Sequence, residues 1–183
     1  MDHITWRCTC GEVEATLPSH GNRIICYCGS CRAFVEQLDA GNRLDQQGGN
    51  ELFQVAPDGV RLTKGIDQLV WMRLTEKGPL RWYAKCCRTP MANTLSSRAL
   101  PFASFQVHEL NPKAALPAVK ARVNLAGALG QVDGEKGSLS KLVLGLLGNA
   151  AKAHIMRRVA QNPFFGVDGK PVGPRLQPSQ ELT

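Results

Sequence analysis

Cys26-Tyr27-Cys28-Gly29-Ser30-Cys31 is the stretch on which the reading of this chain turns. Cysteines this close can all face inward on one tight loop and offer three sulfurs to a single metal ion. A thiolate set points to zinc, and three protein ligands leave one tetrahedral position open. Cys28-Gly-Ser-Cys31 is also the spacing of a redox pair. The third cysteine upstream, and a second Cys-x-Cys-Gly at Cys8-Thr9-Cys10-Gly11, favour metal ligation over a redox pair or buried free thiols. A glycine follows each pair, where a backbone curling round an ion needs the positive φ that glycine adopts without steric cost.

Outward from that loop, residues 23–26 read as a strand that delivers Cys26. Ser30 is placed to cap a short helix from 31 to about 40, ended by Gly41-Asn42, with Ala33, Phe34 and Leu38 packed beneath the loop. Residues 4–17 read as two short strands around Cys8 and Cys10, with Trp6, Val13, Ala15 and Leu17 alternating. Further strands are expected at 52–55, 60–62, 68–74, 80–84 and 102–107, with Gly and Pro turns between them. The fold class that follows is mainly β, a small domain of short antiparallel strands over residues 1–110.

Residues 111–183 differ in kind and read as a C-terminal extension. Residues 111–132 are alanine-rich and suggest helix, interrupted by Pro117 and Gly127. A linker at 133–137 leads to the strongest helix pattern, 138–161, with Ser138 as its cap. Its stripe is Leu139, Leu142, Val143, Leu146, Leu147 and Ala150, weakened by Gly145 and Gly148. That stripe suits docking on the β domain or on a partner subunit, as in a homodimer, or an amphipathic helix on an anionic membrane. The tail, 164–183, is rich in Gly and Pro and is expected to run extended over the surface.

The chain has 183 residues, 43% hydrophobic and 20% charged, which is ordinary for one globular domain. No apolar run is long enough to span a bilayer, and the first residues lack the pattern of a signal peptide. Seven cysteines without such a signal suggest a reducing, cytoplasmic setting. A net charge of +7 favours anionic partners. Lys152, His154, Arg157 and Arg158 concentrate part of it, either as a solvated helix face or as a patch for nucleic acid or membrane.

Three motifs together, Cys8-Thr9-Cys10-Gly11, Cys26-Tyr27-Cys28-Gly29-Ser30-Cys31-Arg32 and Cys87-Arg88-Thr89-Pro90 after an aromatic strand, resemble the glutathione-dependent formaldehyde-activating enzyme family. Centromere protein V belongs to the same group. The resemblance covers residues 3–107 and implies a β-tent fold arranged around zinc. It implies a structural zinc on the first and last motifs, and a second zinc on Cys26, Cys28 and Cys31 with a vacant position for substrate sulfur. The activity it implies joins glutathione and formaldehyde in S-hydroxymethylglutathione, a carbon–sulfur lyase reaction. The chain departs from the pattern at the third motif, where the family's first cysteine falls at Ala84 and Cys86 adjoins Cys87. Neighbours in a strand point to opposite faces. Cys86 is therefore either a fourth ligand beside Cys8, Cys10 and Cys87, re-aimed by a turn or bulge, or a buried free thiol.

Three thiolates on Zn²⁺ leave a net negative charge, which suits a soft ligand such as a thiol. Arg32, and beyond it Arg7 and Arg23, are candidates to clamp glutathione's carboxylates. The histidines, His3, His20, His108 and His154, are scattered, with His108 placed to approach a metal from a late strand. Trp71, Trp82 and Tyr83 read as core or pocket lining. A different class of function also fits: a non-catalytic, zinc-stabilised module whose basic helix binds nucleic acid, membrane or protein.

Overall fold

The computed structural model describes residues 3–134, 137 and 139–176, with the side chains of 139–143 and 146 outside the description. In chain order the strands are β1 (His3–Arg7), β2 (Glu14–Pro18) and β3 (Asn22–Cys26), followed by helix α1 (Gly29–Glu36). Next come β4 (Asn50–Val55), β5 (Arg61–Lys64), β6 (Leu69–Met72), β7 (Leu80–Ala84), β8 (Thr89–Thr94) and β9 (Ala103–Gln106). The two-residue β10 (Leu110–Asn111), β11 (Val119–Val123) and helix α2 (Leu139–Ile155) complete the chain. The strands form a smaller sheet, β10-β1-β2-β5, and a larger one, β11-β3-β4-β9-β8-β7-β6. The mainly β expectation holds, and every strand pair is antiparallel except β11 with β3.

Alternation explains the packing. Ile4, Trp6, Ala15 and Leu17 turn inward from the small sheet, and Phe53, Trp82 and Phe105 meet them from the large one in a single apolar core. The central strands β7, β8 and β9 are buried along their whole length. Their far face is covered as well, as in sheets packed on both sides. At one end the cover is α1, whose Phe34 and Val35, with Leu38 just beyond the helix, pack on Val70, Met72 and Tyr83.

Four expectations need correction. Residues 111–132 are not helical: proline at 112 and 117 breaks the alanine-rich run, and Val119–Val123 adds an edge strand parallel to β3. Helix α1 starts earlier and stops sooner than read, capped by Cys28 instead of Ser30 and closed by Asp39 at φ 56° instead of by Gly41. The tail does not lie wholly on the surface, because Phe164 is fully buried, with its ring 5.0 Å from Trp82 and 6.0 Å from Phe105. A strand, β8, appears where no sequence pattern announces one. Pro90 breaks the strand signal there, and the pairing shifts beside it, where Met91 is an extra residue on β8 opposite the Trp82–Tyr83 step.

Helix α2 ends at Ile155, and Arg157 at φ 53° turns the chain away. The Ser138 cap and the stripe side chains Leu139, Leu142, Val143 and Leu146 lie outside the described residues. Leu147 of that stripe is exposed. No helix among the described residues is long and apolar enough to cross a membrane.

Candidate functional site

The seven cysteines gather into two clusters. In the first, the sulfurs of Cys8, Cys10, Cys86 and Cys87 all lie within 4.8 Å of one another. Cys8 Sγ is 3.5 Å from Cys10 Sγ and 4.0 Å from Cys86 Sγ, and Cys10 and Cys86 approach to 3.2 Å. These separations are far longer than a disulfide bond. Gly11, at φ +77°, closes the first turn as expected, and the Val13 amide donates to Cys8 Sγ at 3.2 Å. Cys86 and Cys87 converge although adjacent, because residues 85–88 form the hairpin turn between β7 and β8 and Arg88 takes φ 56°. A strand would have split the pair. Cys86 is exposed and belongs to the cluster, so it is not a buried free thiol.

Thr89 tightens this corner: its hydroxyl lies 3.0 Å from Cys87 Sγ and accepts the Thr9 amide at 3.1 Å. Burial raises the thiol pKa of Cys8 and that of Cys86. Burial acts on Cys87 too, but hydrogen bonds from Thr89 and Thr9 outweigh it and hold that sulfur down at about 6.

The second cluster is Cys26, Cys28 and Cys31 at the end of β3, again within 4.8 Å of one another. Cys26 and Cys28 sulfurs are 3.4 Å apart. Cys28 Sγ replaces the usual oxygen of a helix cap by accepting the Cys31 amide at 3.4 Å. Asn124, at φ 57°, donates Nδ2–H to Cys26 Sγ at 3.2 Å. The loop is pinned by the Tyr27 amide on Val123 O and the Tyr27 hydroxyl on Asp45, at 3.1 and 2.9 Å. Gly127 presses against the Tyr27 carbonyl so closely that a Cβ has no room. Gly29 opens α1 and needs no positive φ, unlike Gly11. Hydrogen bonds from Cys26 and then Cys31 pull Cys28 down to about 2, while the same sharing raises its two donors. Each cluster therefore carries at least one thiolate and offers a donor set for a metal ion.

This second cluster opens onto a cleft of about 810 Å³ on the large sheet's far face. Asn149 and Ala153 of α2, with Met156 and Arg158 just beyond it, bound the cleft on the opposite side. Across its floor runs one polar row. Asn22, Gln54, Ser104, Asn93 and Arg81 stand directly opposite one another on β3, β4, β9, β8 and β7, and all five line the cleft. Arg81 is 2% exposed and donates to Asn93 Oδ1 at 2.9 Å and to Ser30 Oγ of the cysteine loop. Its guanidinium also lies 5.3 Å from the Phe34 ring centroid.

Residues 2–138 match the family described as "Family of unknown function (DUF6151)". The chain belongs to that family. The matched span takes in all seven cysteines and the cleft floor and stops before α2. No curated protein matches the chain. Among solved structures, a Rhodobacter sphaeroides protein is similar at 15% identity and a TM-score of 0.44, over 59% of this chain and 88% of that one.

The candidate arginines lie elsewhere. Arg32 donates to Gly127 O at 3.0 Å and is not part of the cleft lining, Arg7 pairs with Glu14, and Arg23 pairs with Glu51. His108 pairs with Glu109 and joins neither cluster. Lys152 and Arg158 line the cleft, Arg158 faces Asp58 at 3.8 Å, His154 Nε2 sits 2.7 Å from Ala99 O, and Lys152, His154, Arg157 and Arg158 are all exposed. Sequence reasoning missed Arg81, Asn93 and Ser104. Their signal was a polar residue inside each of three strands buried throughout.

Proposed function

We propose that this chain is a zinc protein that handles a thiol such as glutathione together with a small aldehyde such as formaldehyde, in the manner of a carbon–sulfur lyase. The carrying observation is the second cluster: three sulfurs at the wall of a cleft, with no fourth Cys, His, Asp or Glu grouped with them among the described residues. Zinc suits the donors. Thiolates about 2.3 Å from a tetrahedral centre lie about 3.8 Å apart. Separations of 3.4 Å in one cluster and 3.2 to 4.0 Å in the other are close to that span. Cys8, Cys10, Cys86 and Cys87 would hold a structural ion, and Cys26, Cys28 and Cys31 a second.

Held by Cys26, Cys28 and Cys31, zinc would supply an open position that favours the ionised form of an incoming thiol. Around it the chain's own groups divide the work. Asn124 and the Cys31 amide donate to the sulfurs of Cys26 and Cys28, which favours the thiolate forms. Arg81 brings a positive charge to Cys28 and Cys31 and offsets the negative charge collected there. Ile24, Leu52 and Val123 make the adjoining wall apolar and shed water from it. The cleft volume falls within the range of small-molecule pockets, about 300–1,000 Å³.

Calorimetric titration of glutathione into protein of measured zinc content tests the reading. Saturable binding is expected, and it should vanish in Cys28→Ala with the fold intact. No heat at millimolar glutathione overturns it and leaves a non-catalytic zinc-stabilised module.

A further inference from the structure

The polar row on the cleft floor is only partly used by the bonds of Arg81 to Asn93 and to Ser30. Burying a charge or a hydroxyl costs free energy unless a partner repays it. Arg81 is the costliest member: its hydrogen-bond partners are a neutral amide and a neutral hydroxyl, it lies by a ring and near the ionised Cys28, and no carboxylate is paired to it among the described residues. Hydrogen-bonding capacity remains unused there, since Arg81 Nε and Ser104 Oγ are buried without a partner. Both residues are only 2% exposed, and both line the cleft. An ordinary structural arginine is placed quite differently: Arg43 on the same chain is half of an ion pair with Glu109.

The geometry points to an anion subsite on this floor: Arg81, with Asn93 and Ser104, receives a carboxylate of the ligand whose thiol reaches the three cysteines. The identity of the neighbours carries the link. Arg81 donates to Ser30, and Ser30 stands between Cys28 and Cys31, so the anion subsite and the sulfur site share one loop. Arg81 presents a planar fork, the donor geometry that matches a carboxylate, and cross-strand neighbours about 5 Å apart place Asn93 beside it and Ser104 beside Asn93, one strand further on. Among the described residues at the cleft's rim, Lys152 and Arg158 add positive charge against one acid, Asp58. The ligand class is thus a thiol that bears a carboxylate, with neutral thiols disfavoured because they leave Arg81 Nε and Ser104 Oγ buried without a partner. This assignment rests on the thiol-handling reading above.

Three probes on zinc-loaded protein separate the two ideas: glutathione, its diethyl ester, and S-methylglutathione. Glutathione is expected to bind the native chain at least about tenfold more tightly than the diester, a gap of about 1.4 kcal/mol. In Arg81→Met the two should agree within about twofold, mainly through loss of glutathione affinity. Equal binding of glutathione and diester by the native chain overturns the anion subsite and leaves the thiol reading standing. S-methylglutathione binding as tightly as glutathione, still dependent on Arg81, supports the anion subsite and overturns the thiol reading. Absence of binding by all three overturns both. Should Arg81→Met fail to fold, the native comparison of acid and ester decides alone, and Ser104→Ala, a smaller change, should narrow the gap in part.

Discussion

The two cysteine clusters are built from the same side chain by opposite strategies. The four-sulfur cluster draws on two tight turns far apart in sequence, and Thr9 and Thr89 clamp those turns together. Its four sulfurs could fill a tetrahedral site without a further donor. The three-sulfur cluster lies on one loop, is braced by Tyr27, Asn124 and the 125–127 turn, and faces a cleft instead of a fourth sulfur. A site that closes a long chain loop stabilises the fold. A site assembled by a loop that is already held can be spared by the fold and used for a ligand.

Removing one sulfur from each should give the sharpest contrast. Cys8→Ala in zinc-loaded protein is expected to lower the melting temperature by about 10–20 °C, since a structural metal contributes several kcal/mol and each is worth about 2–4 °C here. Cys28→Ala should cost less than about 4 °C on the same scale while abolishing glutathione binding. Differential scanning fluorimetry of both reads this directly. Equal losses would erase the division into a structural and a working site.

Proton release separates the clusters next. In the metal-free chain the Cys26 and Cys31 thiols are held above their ordinary range, Cys26 by sharing its hydrogen with Cys28 and Cys31 by sharing its own with Cys26 and then Cys28. Metal entry there must displace two protons. Zinc affinity of that site should then rise about 100-fold per pH unit from about pH 6 to 8, measured by chelator competition with the four-sulfur site filled. A slope of about 1,000-fold per unit would mean that Cys28 is protonated too.

Much of this is legible in the sequence alone. Spacing alone marked Cys8, Cys10, Cys26, Cys28 and Cys31, since a metal loop is local and its sulfurs are close in sequence. Alternation marked β1 and β2 because one face of each is buried. Cys86 was ambiguous for a physical reason: adjacent residues converge in a turn and diverge in a strand, and only the backbone of 85–88 decides. Strand β11 and Phe164 were hidden because nothing local requires them. The first is recruited by the free edge of β3, and the second by a gap beside Trp82 and Phe105. The polar row was hidden for a related reason. Its members come from five strands, and only the register aligns them.

The support beneath the open loop offers a smaller test. Gly127→Ala forces a methyl group against the Tyr27 carbonyl, a backbone atom that cannot swing aside. A cost of about 1–3 kcal/mol is expected, seen as a lower melting temperature together with weaker glutathione binding. Unchanged binding in a destabilised protein would show that the turn supports the fold and not the loop.

The smallest effect is also the most discriminating, because Asn124 does two things at once. It adopts φ 57°, which ordinary residues resist, and its side chain donates to Cys26 Sγ. Asn124→Gly keeps the backbone conformation and deletes the donor, whereas Asn124→Ala loses both. If the N–H···S bond tunes the sulfur, Asn124→Gly alone should weaken zinc at the open site by about three- to tenfold, the worth of one hydrogen bond of about 1 kcal/mol. Zinc in the four-sulfur cluster should be untouched. If only the turn matters, Asn124→Gly should match the native chain in chelator competition and Asn124→Ala should not. The open site would then owe its donor set to the backbone alone, as the four-sulfur cluster owes its closure to Gly11 and Arg88.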